Sequence, residues 1–376
     1  MQEQRPEIAA LIPYPVYPAK MGGQKGIALF YSYLLEKLPV KLLGVKDQKP
    51  EGKSGEYFEG IMHRSKTRYI DPRLIFRLRN YIRRNQIRTF IIEHPYFGWL
   101  AWMLKKITGV KIVIHSHNIE ALRFQSTGKW WWKILRSYEG WTHGFADMNF
   151  FISPEDREWA IEHYHISKNK AVVIPYGSTV SSAPDTAYKR EKRRALAGLH
   201  HIGHEEHILL FNGTLDYKPN LDALKFILKE INPALLKSGM KYKIIICGKG
   251  LPAEMNELID YQTVNIIYAG FVDDIDMYFM GSDIFLNPVF DGGGIKTKLV
   301  EALGADLNAI SSKNGSFGVP QDITGGKLKI VEEETGEAYC NAILQADLEL
   351  KTPIAFYKYF YWGAIADKAS ELLKNL

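Results

Sequence analysis

The segment Asn287-Pro288-Val289-Phe290-Asp291-Gly292-Gly293-Gly294-Ile295-Lys296-Thr297-Lys298-Leu299-Val300-Glu301-Ala302-Leu303-Gly304 closes an apolar run with three consecutive glycines and then opens a helical pattern. Backbone N–H groups at a helix start, with no side chains in front of them, form an anion site, and Lys296 and Lys298 add positive charge. Phosphate is the guest that suits this chemistry. Glu301 falls one turn after Thr297 on the same helical face, within reach of a sugar hydroxyl belonging to that guest. The alternative is a tight turn before a solvated helix start. The spacing is not that of a P-loop, because no Gly-x-x-x-x-Gly-Lys-Ser/Thr occurs.

A second glycine-rich turn, Lys20-Met21-Gly22-Gly23-Gln24-Lys25-Gly26, follows the first apolar run and opens the first long helix. It again offers backbone amides. The Gly-x-Gly-x-x-Gly fingerprint is missing, and the second run ends in Gly44-Val45-Lys46 without the acidic residue a nicotinamide enzyme uses, which disfavours a dehydrogenase. Polar residues gather after two further runs, Glu93-His94 and His115-Ser116-His117-Asn118-Ile119-Glu120. Histidines at strand ends can ligate metal, but there is no His-Glu-x-x-His and no matching carboxylate cluster, so no metal is expected. Binding and structural hydrogen bonding are both open to them. Asp273-Asp274-Ile275-Asp276 starts a helix, and capping explains it better than a metal does.

These residues need strands to end where they stand. Apolar runs at Ile8–Ile12, Val40–Val45, Thr89–Glu93, Lys111–His115, Met148–Ser153 and Ala171–Pro175 alternate with helical patterns at Gly22–Leu38, Arg73–Arg84, Phe97–Ile107, Trp130–Ala146 and Pro154–Tyr164. A second alternation has strands at His207–Gly213, Lys243–Gly248, Asn265–Ala269, Asp283–Asn287 and Asn308–Ser312. Its helices are Asn220–Leu236, Pro252–Asp260, Asp274–Met280 and Thr297–Leu303. Such alternation predicts mainly parallel sheets covered on both faces, with ligands outside the carboxyl ends of the strands. The expected division is an acceptor-side domain over 1–180, a polar linker over 181–205, a second domain over 206–352, and a single helix over 353–376 returning to the first domain.

Composition agrees with two sizeable cores: 376 residues, 46% hydrophobic and 24% charged, with two cysteines, Cys247 and Cys340, too far apart in sequence for a disulfide framework. The polar start Met1–Arg5 and the prolines before Pro18 do not read as a signal peptide. No apolar stretch has the length of a membrane helix. A cytoplasmic location is expected. The net charge of +6 is uneven, since Ile61–Phe90 holds nine Lys or Arg against one acid. With Trp130-Trp131-Trp132, of which at least one should be exposed, that patch suggests a lipid-linked acceptor or peripheral attachment at an anionic membrane face, the inner one; two Trp packed inward beside merely solvated arginines is the equal alternative. No nucleic-acid module accompanies it.

In order, several segments resemble glycosyltransferase family 4, retaining enzymes of the GT-B fold in which two Rossmann-like domains face across a cleft. They are Gly22-Gly23, His117-Asn118-Ile119-Glu120, Val173-Ile174-Pro175-Tyr176-Gly177, Phe211-Asn212-Gly213-Thr214-Leu215, Gly270-Phe271-Val272 and Gly292–Gly304. The helix holding Trp362 resembles that family's return helix. The resemblance implies transfer of a sugar from a nucleotide-diphosphate sugar to a glycan or lipid-linked acceptor, with no metal or other cofactor.

By the same resemblance Gly22 and Gly23 line the donor phosphate and the acceptor side, while His117, or else His115, contacts the transferred sugar. Gly213 and Thr214 belong to the donor side. Gly292, Gly293, Gly294 and Ile295 hold the diphosphate, Glu301 binds the ribose, and Phe271 and Val272 lie near the base. Two positions depart from the family pattern. Thr214 stands where the family carries Arg, with Lys218 about where its Lys follows, and Gly293 stands where the first Glu of Glu-x7-Glu is expected. Lys218, Lys296 or Lys298 would then make up for the missing Arg and offset the negative charge of the leaving group. A sugar-nucleotide 2-epimerase and an inactive nucleotide-binding scaffold are the alternatives.

Overall fold

The computed structural model describes residues 7–19 and 22–376; Lys20, Met21 and the polar start of the chain lie outside the described residues. The chain divides into two compact units, one running to Thr179 and resuming at Phe360–Leu376, the other spanning Val180–Tyr359.

The first unit is built on seven strands: β1 (Ile8–Leu11), β2 (Val40–Val45), β3 (Phe58–Met62), β4 (Thr89–Glu93), β5 (Lys111–Ser116), β6 (Met148–Phe151) and β7 (Ala171–Val173). They pair in parallel in the order β3-β2-β1-β4-β5-β6-β7. Every residue of β1 and β4 is buried, as a sheet covered on both faces requires. β3 was not expected: Phe-Glu-Gly-Ile-Met carries a charge and a glycine, and it adds only at the sheet edge beside β2.

The second unit carries β8 (His207–Asn212), β9 (Tyr242–Cys247), β10 (Ile266–Gly270), β11 (Ile284–Asn287), β12 (Asn308–Ser312) and β13 (Leu328–Val331), parallel in the order β10-β9-β8-β11-β12-β13. β13, four residues at the other edge, also escaped the sequence pattern. In both sheets the strand order reverses beside the first strand, between β1 and β4 and between β8 and β11. Connections leave such neighbours in opposite directions, so a crevice opens at their carboxyl ends. Gly22-Gly23 and His94 flank one switch point, Gly213 and Gly292–Gly294 the other.

Three expectations need correction. The stretch 181–205 is not a bare linker, because Thr186–Leu199 is a helix whose N-cap Asp185 accepts from the Ala187 and Tyr188 amides. Its basic run satisfies carbonyls at helix ends: Lys189 donates to the Ala305 and Asp306 carbonyls, and Arg193 to the Gly281 carbonyl and the Asp283 carboxylate. Pro252–Asp260 is not a regular helix. Asn256, Glu257 and Leu258 all have positive φ, and Leu258 alone is buried, so no apolar stripe holds a helix there.

The tail, finally, is two helices, Ile354–Phe360 and Trp362–Lys374, broken at Tyr361. Around the break Ser178 N–H donates to the Phe360 carbonyl and Trp362 N–H to the Ser178 carbonyl. Trp362 then packs on Gly177, where an added Cβ would lie 2.5 Å from the indole. The close approach explains the glycine, and the helix from Trp362 belongs to the first unit, against Gly22–Leu34.

Candidate functional site

In the first unit the polar residues converge because of register. Glu93 ends β4 and pairs with His115 on β5, so their side chains share a face; His117, two residues on, returns to that face. Glu93 is 0% exposed. Its Oε1 accepts from the Tyr31 hydroxyl and lies 3.0 Å from His115 Nδ1, while Oε2 lies 2.6 Å from His117 Nε2. Burial alone would raise this carboxyl; the His115 and His117 contacts overcome it and hold the group well below the usual carboxylate range. Burial, and then the neighbouring His115, lower His117 below the ordinary imidazole value against the pull of Glu93.

His94 continues the cluster. Its backbone sits at φ 62°, ψ 156°, a region that glycine alone visits easily, followed by Pro95. In this position its Nδ1 lies 3.2 Å from Glu120 Oε1 and its Nε2 3.0 Å from the Tyr14 hydroxyl. The ring stacks on His117 at 4.6 Å and on Tyr96 at 5.3 Å. Glu120 opens the helix Glu120–Ser126, and Arg123 Nε donates to its Oε2 at 2.8 Å. Gly22 and Gly23 are exposed at the start of the helix that carries Tyr31, and an added Cβ at Gly23 would stand 3.9 Å from the Tyr14 hydroxyl. The sequence singles out Glu93 and His94 only as polar residues at a strand end, without a role, and Tyr14 and Tyr31 are absent from the expected site; the pairing of Glu93 with His115 across neighbouring strand ends is what gives Glu93 its place.

Among the described residues one group of three or more potential metal ligands comes together, Glu93, His115 and His117, with ligand atoms all within 4.8 Å of one another. The fold thus supplies a carboxylate for which the linear sequence gave no match. Zinc bonds of 2.0–2.1 Å would hold tetrahedral ligands about 3.3 Å apart. The 2.6 Å between Glu93 and His117 is shorter, a hydrogen bond.

In the second unit the glycine loop is folded by Lys296. Gly292 and Gly294 have φ of 96° and 74°, which other residues rarely adopt. Lys296 Nζ donates to their carbonyls at 2.7 and 3.1 Å, and Asn314 Nδ2 to the Gly292 carbonyl at 3.2 Å. Burial brings the Lys296 ammonium down to about 8. Lys296 was one of three lysines expected to add charge at the leaving group; here its ammonium braces the loop, leaving the exposed Gly293 and part-exposed Ile295 at the surface.

Lys298 and Glu301 pair at 2.8 Å on the helix Thr297–Gly304, both partly exposed. Tyr217 reaches the loop: a Cβ at Gly292 would meet its hydroxyl at 3.1 Å. Gly213 packs on Asn220, whose Nδ2 donates to the Thr214 carbonyl at 2.9 Å, and the Thr214 residue is exposed. Lys218 pairs with Asp222 on the surface. Phe271, 69% exposed, and Val272 follow β10, which β9 and β8 separate from β11. Asp274 caps its helix by accepting from the Met277 amide, as the sequence implied.

Comparison with known proteins agrees with this architecture. Residues 40–180 match the family described as Glycosyltransferase Family 4, and 206–346 match Glycosyl transferases group 1. The chain belongs to the family 4 glycosyltransferases of the GT-B fold. A protein encoded in the cps region of Klebsiella pneumoniae, described as uncharacterized, is 28% identical over 132 residues, 34% of each chain. A glycosyltransferase from Rickettsia africae is 17% identical over 98% of this chain and 97% of its own, with a TM-score of 0.66. Sucrose-phosphate synthase from Thermosynechococcus elongatus is 16% identical over 99% of both chains, at 0.68. Anabaena HepE in complex with UDP is 14% identical over 98% and 100%, at 0.70. At these identities the structures speak for the fold.

Proposed function

We propose that the protein moves a sugar from a nucleotide-diphosphate sugar to a glycan or lipid-linked acceptor, with retention and without a metal. The observation that carries this reading is the braced glycine loop at the β8/β11 switch point, with a helix N-terminus and Glu301 one turn along. HepE, a structural relative, was crystallised with UDP and with UDP-glucose. On this reading Gly292, Gly293, Gly294 and Ile295 face the diphosphate, Glu301 accepts from the ribose hydroxyls, and Phe271 and Val272 border the base. Gly213, Thr214 and Lys218 edge the donor site, and Gly22 and Gly23 approach the phosphate and acceptor.

Breaking the bond from sugar C1 to the phosphate oxygen leaves charge on the diphosphate. Loop amides, the helix N-terminus and Lys298 stabilise it. The acceptor hydroxyl attacks C1 from the leaving-group side and passes its proton to a phosphate oxygen, so no protein nucleophile is needed. His117 contacts the transferred sugar, with His115 behind it. The first unit receives the acceptor. Ile70 and Phe76, 76% and 61% exposed, accompany the exposed arginines of Arg73–Arg84, and Trp130 is 82% exposed, which supports peripheral contact with an anionic membrane.

Lys296 turned onto loop carbonyls and Gly293 in place of the first Glu favour a second reading, nucleotide binding without transfer. Calorimetry with UDP, GDP and ADP, followed by hydrolysis assays on the matching donors, separates the two. Binding with turnover supports the transferase, binding alone the scaffold, and no binding sinks both.

A further inference from the structure

The carboxylate behind the histidines has a task that the transferase reading leaves unassigned. We propose that Glu93, held by Tyr31, is a positioning residue that turns His115 so that its Nδ1–H donates to the carboxylate and fixes His117 as its Nε2–H tautomer, leaving His117 Nδ1 as the lone pair offered to substrate. The step to substrate rests on the reading of His117 as the sugar-contacting residue; the tautomer assignment does not.

An ionised carboxylate has acceptors only, so each group bonded to it must donate. Glu93 has three such partners, the Tyr31 hydroxyl, His115 Nδ1 at 3.0 Å and His117 Nε2 at 2.6 Å. Tyr31 is fully buried and keeps its proton, since burial and then the nearby Glu93 raise its hydroxyl well above the ordinary value. A neutral imidazole carries one N–H, so fixing the donor nitrogen fixes the acceptor.

Rotation is blocked as well. The His117 ring lies between those of His94 and His115, at 4.6 and 4.5 Å. His94 is itself tied to Glu120 and Tyr14, and its backbone is kept in a glycine-type conformation. Strain of this kind persists where the surroundings over-determine it. A carboxylate that sets the tautomer and direction of a working histidine acts through that histidine, and its loss is felt in turnover more than in binding.

Histidine-selective 15N labelling of the full-length protein reads the tautomers directly, with His117→Gln and His115→Gln assigning the signals. In the wild type His117 should be unprotonated at Nδ1 and His115 should carry a proton at Nδ1. Glu93→Gln offers one acceptor and one donor, so one of the two rings must change tautomer, whereas Glu93→Asp keeps both acceptors and the wild-type pattern. With a donor that is turned over, Glu93→Gln should lower kcat about 10- to 100-fold while donor KM stays within about twofold, and Glu93→Asp should recover part of the rate.

A proton on Nδ1 of His117 in the wild type overturns the proposal, and that measurement needs no variant to fold. Unchanged tautomers or unchanged kcat in folded Glu93→Gln overturn it too, as does tight binding of one equivalent of zinc by these rings. If no donor is turned over, the transferase reading fails and the tautomers alone decide the role of Glu93.

Discussion

Lys296 donates to the carbonyl of Gly292 at 2.7 Å across a four-residue loop, so the charge nearest the three glycines is spent on the loop's shape. Lys296→Met, apolar and of similar length, should leave the unit folded but weaken nucleotide binding about tenfold, the scale of losing charge-assisted hydrogen bonds that preorganise an anion site. The pH dependence has two opposite signs. The folded-state value is lowered by burial from 10.5 to about 8, so between these pH values the unfolded chain holds more protons here and titration of Lys296 favours folding as pH rises. Over the same window the loop loses its ammonium, and nucleotide affinity should fall through about pH 8. Calorimetry from pH 7 to 9.5 checks this, and Lys296→Met should abolish that step.

Glu301→Gln should cost about 1 to 3 kcal/mol of nucleotide affinity, the value of charge-assisted hydrogen bonds to sheltered hydroxyls. Because Lys298 already holds Glu301 Oε2 at 2.8 Å, the effect must be separated from the loss of that pair. A dideoxyribose analogue of the bound nucleotide provides the separation. Wild type and variant should bind it equally, and a persisting difference would remove Glu301 from the ribose.

Much of this architecture was legible in the chain because buried parallel strands write themselves as unbroken apolar runs. Ile8–Leu11, Thr89–Glu93 and Lys111–Ser116 needed only that. Elements that bury little were not legible. Thr186–Leu199 has Leu196 as its one buried residue and spends its basic side chains on carbonyls, and Glu59 and Gly60 disguise the edge strand β3. The glycine loop could be located from composition, but the inward turn of Lys296 depends on φ at Gly292 and Gly294. Glu93 meets His117 only once β4 and β5 are neighbours in register, a fact of topology rather than of local pattern.

Transfer, or donor hydrolysis, should survive chelation. On the proposed reading the leaving diphosphate would be met by backbone amides and Lys298, and the Glu93–His117 contact is a hydrogen bond at 2.6 Å. Rates with excess EDTA should match untreated enzyme, and added manganese or zinc should not raise them. A rate lost to chelator and restored by one metal would reassign Glu93, His115 and His117 as ligands.

Gly177→Ala should destabilise the protein by about 1 to 3 kcal/mol through overpacking, since the new methyl would stand 2.5 Å from the Trp362 ring and 2.8 Å from Ile365 Cδ1. Urea unfolding monitored by tryptophan fluorescence gives the value. Gly198→Ala is the matched control, because an added Cβ there meets nothing within 4 Å. Equal midpoints for the two variants would mean that the return helix yields to the methyl.

Membrane contact by the first unit can be tested on residues that the structure leaves available. Arg68 is excluded, because it is 5% exposed and donates to the carbonyls of Pro13, Arg64 and Ser65. Arg83 and Arg84 are instead exposed in the last turn of Arg73–Arg84, a helix that also exposes Phe76, and the Arg83 side chain makes a single surface bond, from Nη2 to the Ile107 carbonyl at 3.2 Å. Each basic side chain near anionic lipid contributes about 1 kcal/mol, so a few of them give reversible docking. Screening within about 10 Å at 0.1 M salt should release the protein as salt rises. Cosedimentation with phosphatidylserine-containing vesicles should therefore retain the wild type at low salt, retain less of it at high salt, and retain less of Arg83→Glu/Arg84→Glu at low salt. Neutral phosphatidylcholine vesicles should hold little of either. Equal retention by anionic and neutral vesicles would detach these arginines from any membrane role and leave the first unit to a soluble glycan acceptor.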